Sequence, residues 1–162
     1  MRKNAPHLKK RHWEKNIVPN AYSAAVSAWL SKFETALAKS DTQAAAALFA
    51  DECYWRDLVS FTWNIMTLEG RPAIEAMLKE TLATVKPSSW KIEREATATD
   101  GVVEGWFTFE TAVARGRGIV RLKDGKCWTL LTTMVELKGY EERKGPKRIM
   151  GAEHGVAKNR KN

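Results

Sequence analysis

DECYWRDLVSFTWNIMTLEG, Asp51 to Gly70, is the stretch on which the reading of this chain turns. It begins where a helical pattern should end, and it alternates. In an extended segment Cys53, Trp55 and Asp57 fall on one side and Tyr54, Arg56 and Leu58 on the other, because successive side chains of a strand point to opposite faces. A carboxylate two residues from a large aromatic on an inward face is either a surface feature or the polar group of a pocket.

Upstream, the pattern after Pro19 is helical. Tyr22, Val26, Trp29, Phe33 and Leu37 recur every three or four residues, with Ala25 and Ala36 in the same stripe, which predicts one buried face of an amphipathic helix. That stripe is either plain core packing or, at its far end, the wall of a pocket. Ser40-Asp41 breaks the pattern, and Asp41 is a suitable N-cap for a short second helix through Ala45, Leu48 and Phe49.

Downstream, residues 60–68 read as an irregular segment holding Phe61, Trp63 and Met66. Glu69-Gly70-Arg71-Pro72 predicts a helix start, since a proline in the first turn loses only an amide that would be unpaired anyway. Ile74, Met77, Leu78 and Leu82 form its inner face. From Trp90 to Leu137 the sequence reads as four strands: 90–97, 102–111, 116–122 and 126–137, with turn signals at Asp100-Gly101 and Asp124-Gly125. Gly116 and Gly118 leave one face of their strand locally without side chains, which either lets the strand bend or leaves room for something above it. Helix, helix, strand, helix and a four-strand meander predict an α+β fold with one curled, concave sheet and the helices on one face.

Length and charge bound the rest. A chain of 162 residues is expected to form one domain that needs no disulfide staple. Cys53 and Cys127 both sit in apolar runs, which suits two buried thiols better than a bridge. The net charge of +8 is uneven. Residues 1–16 hold six Lys or Arg against Glu14, residues 138–162 hold eight against Glu141, Glu142 and Glu153, and the body between is slightly acidic. The chain therefore divides into a basic N-terminal arm (1–18), a folded domain (19–138) and a basic C-terminal extension (139–162). Basic arms on an acidic body are not the footprint of a folded nucleic-acid surface, and nucleic acid is not the expected partner. No apolar run reaches membrane-span length and no signal-peptide core is present, so a cytoplasmic protein without a membrane partner is expected. His7, His12 and His154 lie in the arms without ligand spacing, so no metal site is expected.

The run from Ser40 to Gly70 resembles the nuclear-transport-factor-2-like superfamily, which includes ketosteroid isomerase and the SnoaL-like polyketide cyclases; its pattern is helix, acidic pair, strand and Gly-Arg helix start. The resemblance implies a cone-shaped α+β fold, a strongly bent mixed or antiparallel sheet with three helices on its concave side around an internal pocket. CYWRDLVSFTWNIMTLEGR, GRGIVRLKDGKCWTLLTTMVELKGYEERKG and Gly151-Ala152-Glu153-His154-Gly155 are similar, more closely, to the N-terminal domain attached to certain flavin-dependent monooxygenases. In those proteins a dinucleotide-binding module follows. This chain contains no G-x-G-x-x-G in a strand-to-helix setting, so no flavin, nicotinamide or other cofactor is expected on it, and it reads either as a stand-alone relative or as a piece cut at the domain boundary.

The resemblance also assigns roles. Asp57 falls where ketosteroid isomerase keeps its general base, Phe33 where that enzyme has an oxyanion tyrosine, and Gly118 near its protonated aspartic acid. Both oxyanion donors are missing, each worth roughly 10²- to 10³-fold in rate, which argues against that reaction. Asp57 either serves a pocket or is structural, paired with Arg56 or Arg71 or capping the following turn. If the Ala112–Arg115 segment turns tightly, Glu110 faces Arg117 on one face, and Phe107 and Phe109 share the other with the two glycines. A three-residue bulged loop at Lys123-Asp124-Gly125 brings Trp128, Thr132 and Met134 to that inner face; a two-residue turn brings Thr129, Leu131 and Val135. The first is preferred. The expected pocket is then Phe33, Trp55, Asp57, Trp63, Phe109, Thr132 and Met134, suited to a small hydrophobic ligand held by one polar contact.

Two functions compete at this stage, with a protein-interaction module using the basic tails as a weaker third. One is a ligand-binding or accessory domain forming a homodimer through the outer sheet face, where Trp106 and Arg121 would lie. The other is a cofactor-free isomerase, dehydratase or hydrolase using Asp57 as base, with Thr132 as the best second donor.

Overall fold

The computed structural model describes residues 20–143 and 145–147; the N-terminal arm and most of the C-terminal extension lie outside the described residues. The elements are α1 (Ala21–Ala38), α2 (Thr42–Ala47), β1 (Phe49–Leu58), β2 (Ile65–Glu69), α3 (Gly70–Val85), β3 (Ser88–Ile92), β4 (Thr97–Thr99), β5 (Val102–Glu110), β6 (Ala114–Lys123) and β7 (Lys126–Leu137), followed by a single 3-10 turn (Gly145–Lys147). The sheet runs β2-β1-β7-β6-β5-β3, with β4 also on β5. All pairings are antiparallel except β1 with β7. This is the expected α+β architecture, with the helices packed on the concave side of a curved sheet.

Both leading helices start on side-chain caps. Asn20 accepts from the Ser23 amide at 2.7 Å, and Asp41 accepts from the Ala44 amide at 2.9 Å, satisfying donors that a helix start leaves free. The buried stripe of α1 runs through Ser23, Val26, Trp29, Leu30, Phe33, Ala36 and Leu37, while Tyr22 and Ala25 are exposed. Tyr22 loses its predicted place to Ser23, whose hydroxyl accepts from the buried Ala96 amide at 2.9 Å. A backbone donor brought into the core needs an acceptor more than that position needs a ring.

Residues 65–68, expected to be irregular, form strand β2 together with Glu69, which was expected to open the helix. Only Leu68 of these five is buried, so no alternation announces the strand; pairing with β1 (Trp55 with Leu68, Asp57 with Met66) creates it. The strand expected over 90–97 is interrupted. β3 stops at Ile92, and β4 begins a separate ladder on β5. The predicted opposition of Glu110 and Arg117 is displaced by two residues. Arg117 faces Thr108 and pairs with Glu93 at 2.8 Å, whereas Glu110 faces Arg115 and pairs with Lys138 at 2.7 Å.

The last hairpin combines the two registers considered. Lys123 pairs with Lys126 across a two-residue Asp124-Gly125 turn, both with positive φ, as a tight hairpin requires. An irregularity at Trp128 then restores the other phase, so Gly118 faces Thr132 and Gly116 faces Met134. Thr132 and Met134 thus turn inward as predicted, while Trp128 stays outside with the Lys123 ammonium 3.2 Å from its ring centre. The two glycines leave room for rings: a Cβ on Gly116 would run into Phe109, and one on Gly118 into Phe107 and the Leu131 carbonyl.

Cys53 and Cys127 are free and buried. Burial pushes both thiols up, Cys127 well above the ordinary value.

Candidate functional site

The alternation of β1 places Cys53, Trp55 and Asp57 inward. Asp57 and Trp55 have no solvent exposure. Opposite them, the bulged phase of β7 brings in Thr132, also wholly buried. The three side chains form a chain of hydrogen bonds: the Trp55 indole N–H donates to Thr132 Oγ1 at 2.8 Å, and the Thr132 hydroxyl donates to Asp57 Oδ1 at 2.7 Å. Asp57 Oδ2 accepts three more, from the amides of Phe61 and Thr62 and from the Thr62 hydroxyl, each at 2.9 Å. Three of the four donors converge on Oδ2 and one on Oδ1, so the carboxylate is tied on both oxygens to the strand and the turn around it.

Neither arginine considered as a partner reaches Asp57. Arg71 donates to the Phe49 carbonyl at 2.9 Å and pairs with Asp51 at 3.0 Å; Arg56 donates to Thr67 at 3.0 Å. Asp57 instead caps the turn that follows its own strand, and its polar neighbours all hold the fold. The turn contains Val59 and Trp63 with φ of 56° and 53°, a left-handed conformation that bulky side chains rarely adopt. Two amides converging on one carboxylate hold it there. As a result Phe61 points into the interior and Trp63 points out, 58% exposed.

Of the pocket residues predicted from sequence, Phe33, Trp55, Asp57, Phe109 and Thr132 meet inside the cone and Met134 is half-buried at its wall. Trp63 does not join them. Sequence reasoning did not place Phe49, Phe61 and Trp90 in this group. Their rings complete it: Trp90 stacks on Phe109 at 4.7 Å and meets Phe33 edge-on at 5.2 Å, Phe61 meets Trp55 at 4.9 Å, and Phe49 stacks on Trp55 at 6.1 Å. The alternation Trp90, Ile92 against Lys91, Glu93 signals that Trp90 faces inward. Nothing in the sequence distinguishes Phe61 from Trp63 before the Asp57 cap is known.

One polar atom in this interior is unsatisfied. The Trp90 indole nitrogen is the buried side-chain N or O atom among the described residues that has no hydrogen-bond partner. Among the described residues no three His, Cys, Asp or Glu side chains lie together as metal ligands, and no helix is long and apolar enough to cross a membrane.

Residues 30–130 match the family model of the SnoaL-like domain. No curated protein sequence matches the chain. Among solved structures, the chain is similar to a cystatin-like-fold domain of unknown function from Nostoc punctiforme, with TM-score 0.59 and 16% identity over 72% of this chain and 78% of that one. It is also similar to a ketosteroid isomerase-like protein from Erwinia carotovora atroseptica, with TM-score 0.59 and 12% identity over 72% of this chain and 98% of the other. The Orange Carotenoid Protein of Anabaena, in a structure binding canthaxanthin, aligns with TM-score 0.52 and 16% identity over 64% of this chain and 35% of that protein. At these identities the likeness is one of fold.

Proposed function

The chain belongs to the SnoaL-like domain family, and from that premise we propose that it is a non-catalytic binding or accessory domain that takes a small hydrophobic ligand into its aromatic interior. What supports this is the contrast between two polar groups in one core. Asp57 is wholly buried and accepts from four donors that hold its own turn and strand β7, so it is spent on the fold. Trp90 has a donor that nothing accepts. An unpaired buried donor costs about 1–3 kcal/mol, which a ligand carbonyl or hydroxyl would recover. The isomerase, dehydratase or hydrolase reading of Asp57 is accordingly not favoured.

The ligand would lie against Phe33, Phe109 and Trp90, with Trp55, Thr132 and Met134 behind them. Rings pack this space, so uptake has to move one of them. The Orange Carotenoid Protein offers a parallel in fold for an apolar guest. An accessory role beside a flavin-dependent monooxygenase module belongs to the same reading and rests on the resemblance of residues 53–71 and 116–145.

Isothermal titration with 2-acetylnaphthalene and its acceptor-free analogue 2-ethylnaphthalene tests the reading. The ketone should bind the native chain more tightly, and Trp90→Phe, which keeps the ring stacking, should weaken the ketone about tenfold while leaving the hydrocarbon unchanged. Absence of binding by both, or equal binding before and after the substitution, contradicts it.

We also infer a homodimer through the outer sheet face, supported by a groove of about 370 Å³ floored by Ile119 and Leu131 and flanked by Tyr54, Arg56 and Arg121. Trp106, on the same face, lies beneath the guanidinium groups of Arg94 and Arg117 at 4.3 and 4.7 Å, and Arg121 is paired with Glu104 at 2.8 Å.

A further inference from the structure

The two edges of the sheet are finished differently. At one edge, β3 is broken by a register shift between Ser88 and Lys91, it carries the Lys91 ammonium, and the Glu34 carboxylate on α1 accepts from the amides of Ser89 and Trp90 at 2.7 and 3.4 Å. Charges, breaks and covering elements are the means by which proteins keep a sheet edge from pairing with another chain. At the other edge, β2 has none of them. Ile65, Met66, Thr67 and Leu68 are uncharged, their register with β1 is unbroken, and among the described residues no strand lies beyond them.

Antiparallel alternation decides which backbone groups β2 presents. The Val59 amide donates to the Asn64 carbonyl at 3.0 Å, which makes Met66 and Leu68 the residues bonded to β1 and turns the N–H and C=O of Thr67 to the open side. The Ile65 amide is taken by the Asn64 side chain at 2.8 Å, so Thr67 is the centre of the open edge. Beside it, between β2 and α3, lies a groove of about 440 Å³ walled by Met66, Leu68, Ala73, Ala76 and Met77, with Glu80 on its lip. Met66 and Leu68 reach this groove because they share the concave face with Asp57 and Trp55, their partners on β1. Glu69 and Glu80 are exposed and neither has an ion-pair partner among the described residues; the Glu69 carboxylate does not cap α3 either. The bases of this region are already engaged: Arg71 with Asp51 at 3.0 Å, Lys79 with Glu75 at 2.6 Å, and Arg56 with Thr67 at 3.0 Å.

We propose that the open edge of β2 and the groove beside it bind an extended, basic segment of a partner protein, which adds to the sheet as a further strand and sets apolar side chains against α3. Main-chain bonds to Thr67 require an extended chain, since only a strand presents donors and acceptors at that spacing. Side chains of the added strand then alternate between the two faces. Those beside Met66 and Leu68 enter the groove, whose walls suit apolar groups. Those beside Thr67 and Glu69 lie on the outer face, where the uncompensated Glu69 favours Lys or Arg, and a basic residue at the end of the groove meets Glu80. The same two acids would repel an anionic lipid or a nucleic acid. The inference stands independently of ligand binding in the cone and of pairing through the outer sheet face.

The test is titration of the full chain with the acetylated pentapeptide amide Lys-Val-Lys-Val-Lys, followed by the NMR shifts of the Thr67 and Glu69 amides. Both should move together. Methylation of the peptide's central amide nitrogen, which removes its bond to the Thr67 carbonyl and keeps every side chain, should weaken binding about tenfold. The acidic counterpart Glu-Val-Glu-Val-Glu should bind at least tenfold more weakly than the basic peptide. Glu80→Lys, at an exposed helix position, should weaken the basic peptide about threefold or more without a change in melting temperature. No shift with the basic peptide, equal affinity after methylation, equal affinity for the acidic peptide, or affinity unchanged by Glu80→Lys overturns the proposal. So does a tenfold gain in affinity on removal of residues 1–16, which would make the chain's own basic arm the occupant. A peptide-free dimer that Thr67→Pro dissociates overturns it as well, since the lost edge amide would then have served a second copy.

Discussion

Asp57 and Gly118 show how single residues set the interior. Asp57 looks like a base from its place on the strand, yet a base needs an acceptor lone pair free for a substrate proton. Here the carboxylate is wholly buried, with the amides of Phe61 and Thr62 and two threonine hydroxyls donating to it, and no substrate reaches it without moving the rings around it. Gly118 lies where a Cβ would meet the Phe107 ring and the Leu131 carbonyl. Its role is space for a ring, and its φ is not positive. Gly118→Ala should therefore destabilise by about 1–3 kcal/mol in denaturant unfolding, because a neighbouring backbone carbonyl cannot step aside as a side chain would. Unchanged stability would mean that the rings have room to spare.

At the scale of elements, legibility followed the source of each element's stability. Helix α3 and strands β1, β5 and β6 bury one regular face, and the spacing of Ile74, Met77, Leu78 and Leu82, or of Cys53, Trp55 and Asp57, announces them. Strand β2 buries only Leu68 and exists through its ladder to β1, so its own residues carry no periodic signal. The bulge at Trp128 was equally hidden, since it compensates a turn whose length the sequence leaves open. The sheet's outer face belongs to this scale as well. Ile119 and Leu131, on adjacent strands β6 and β7, lie directly opposite each other and share one groove floor. If that face pairs two copies, the native chain should sediment as a dimer at micromolar concentration, and Leu131→Lys should yield a folded monomer, since burying two such charges against each other is prohibitive. A monomeric native chain refutes the pairing.

For the molecule as a whole, the order of helices and strands was enough to anticipate a curved α+β cone, and the inward aromatics were enough to anticipate an apolar interior. What could not be read was how completely side chains fill it. Filling depends on where Phe61, Phe49 and Trp90 cross in space, and those crossings are set by the cap on one turn and the register of one hairpin. The same cap divides the two aromatics of its turn: Phe61 goes to the rings inside, and Trp63 to solvent.

Everything in this account rests on Asp57 serving the fold, and unfolding of Asp57→Asn measures that directly. An asparagine keeps the shape but sets an NH₂ group against donors that now point at a carboxylate oxygen. With a buried, charge-assisted network broken, the variant should lose about 2–4 kcal/mol of stability against urea. Residues kept for catalysis commonly leave stability unchanged or raise it when replaced. An Asp57→Asn protein as stable as the native chain, or more so, would contradict the account and return Asp57 to candidacy as a base.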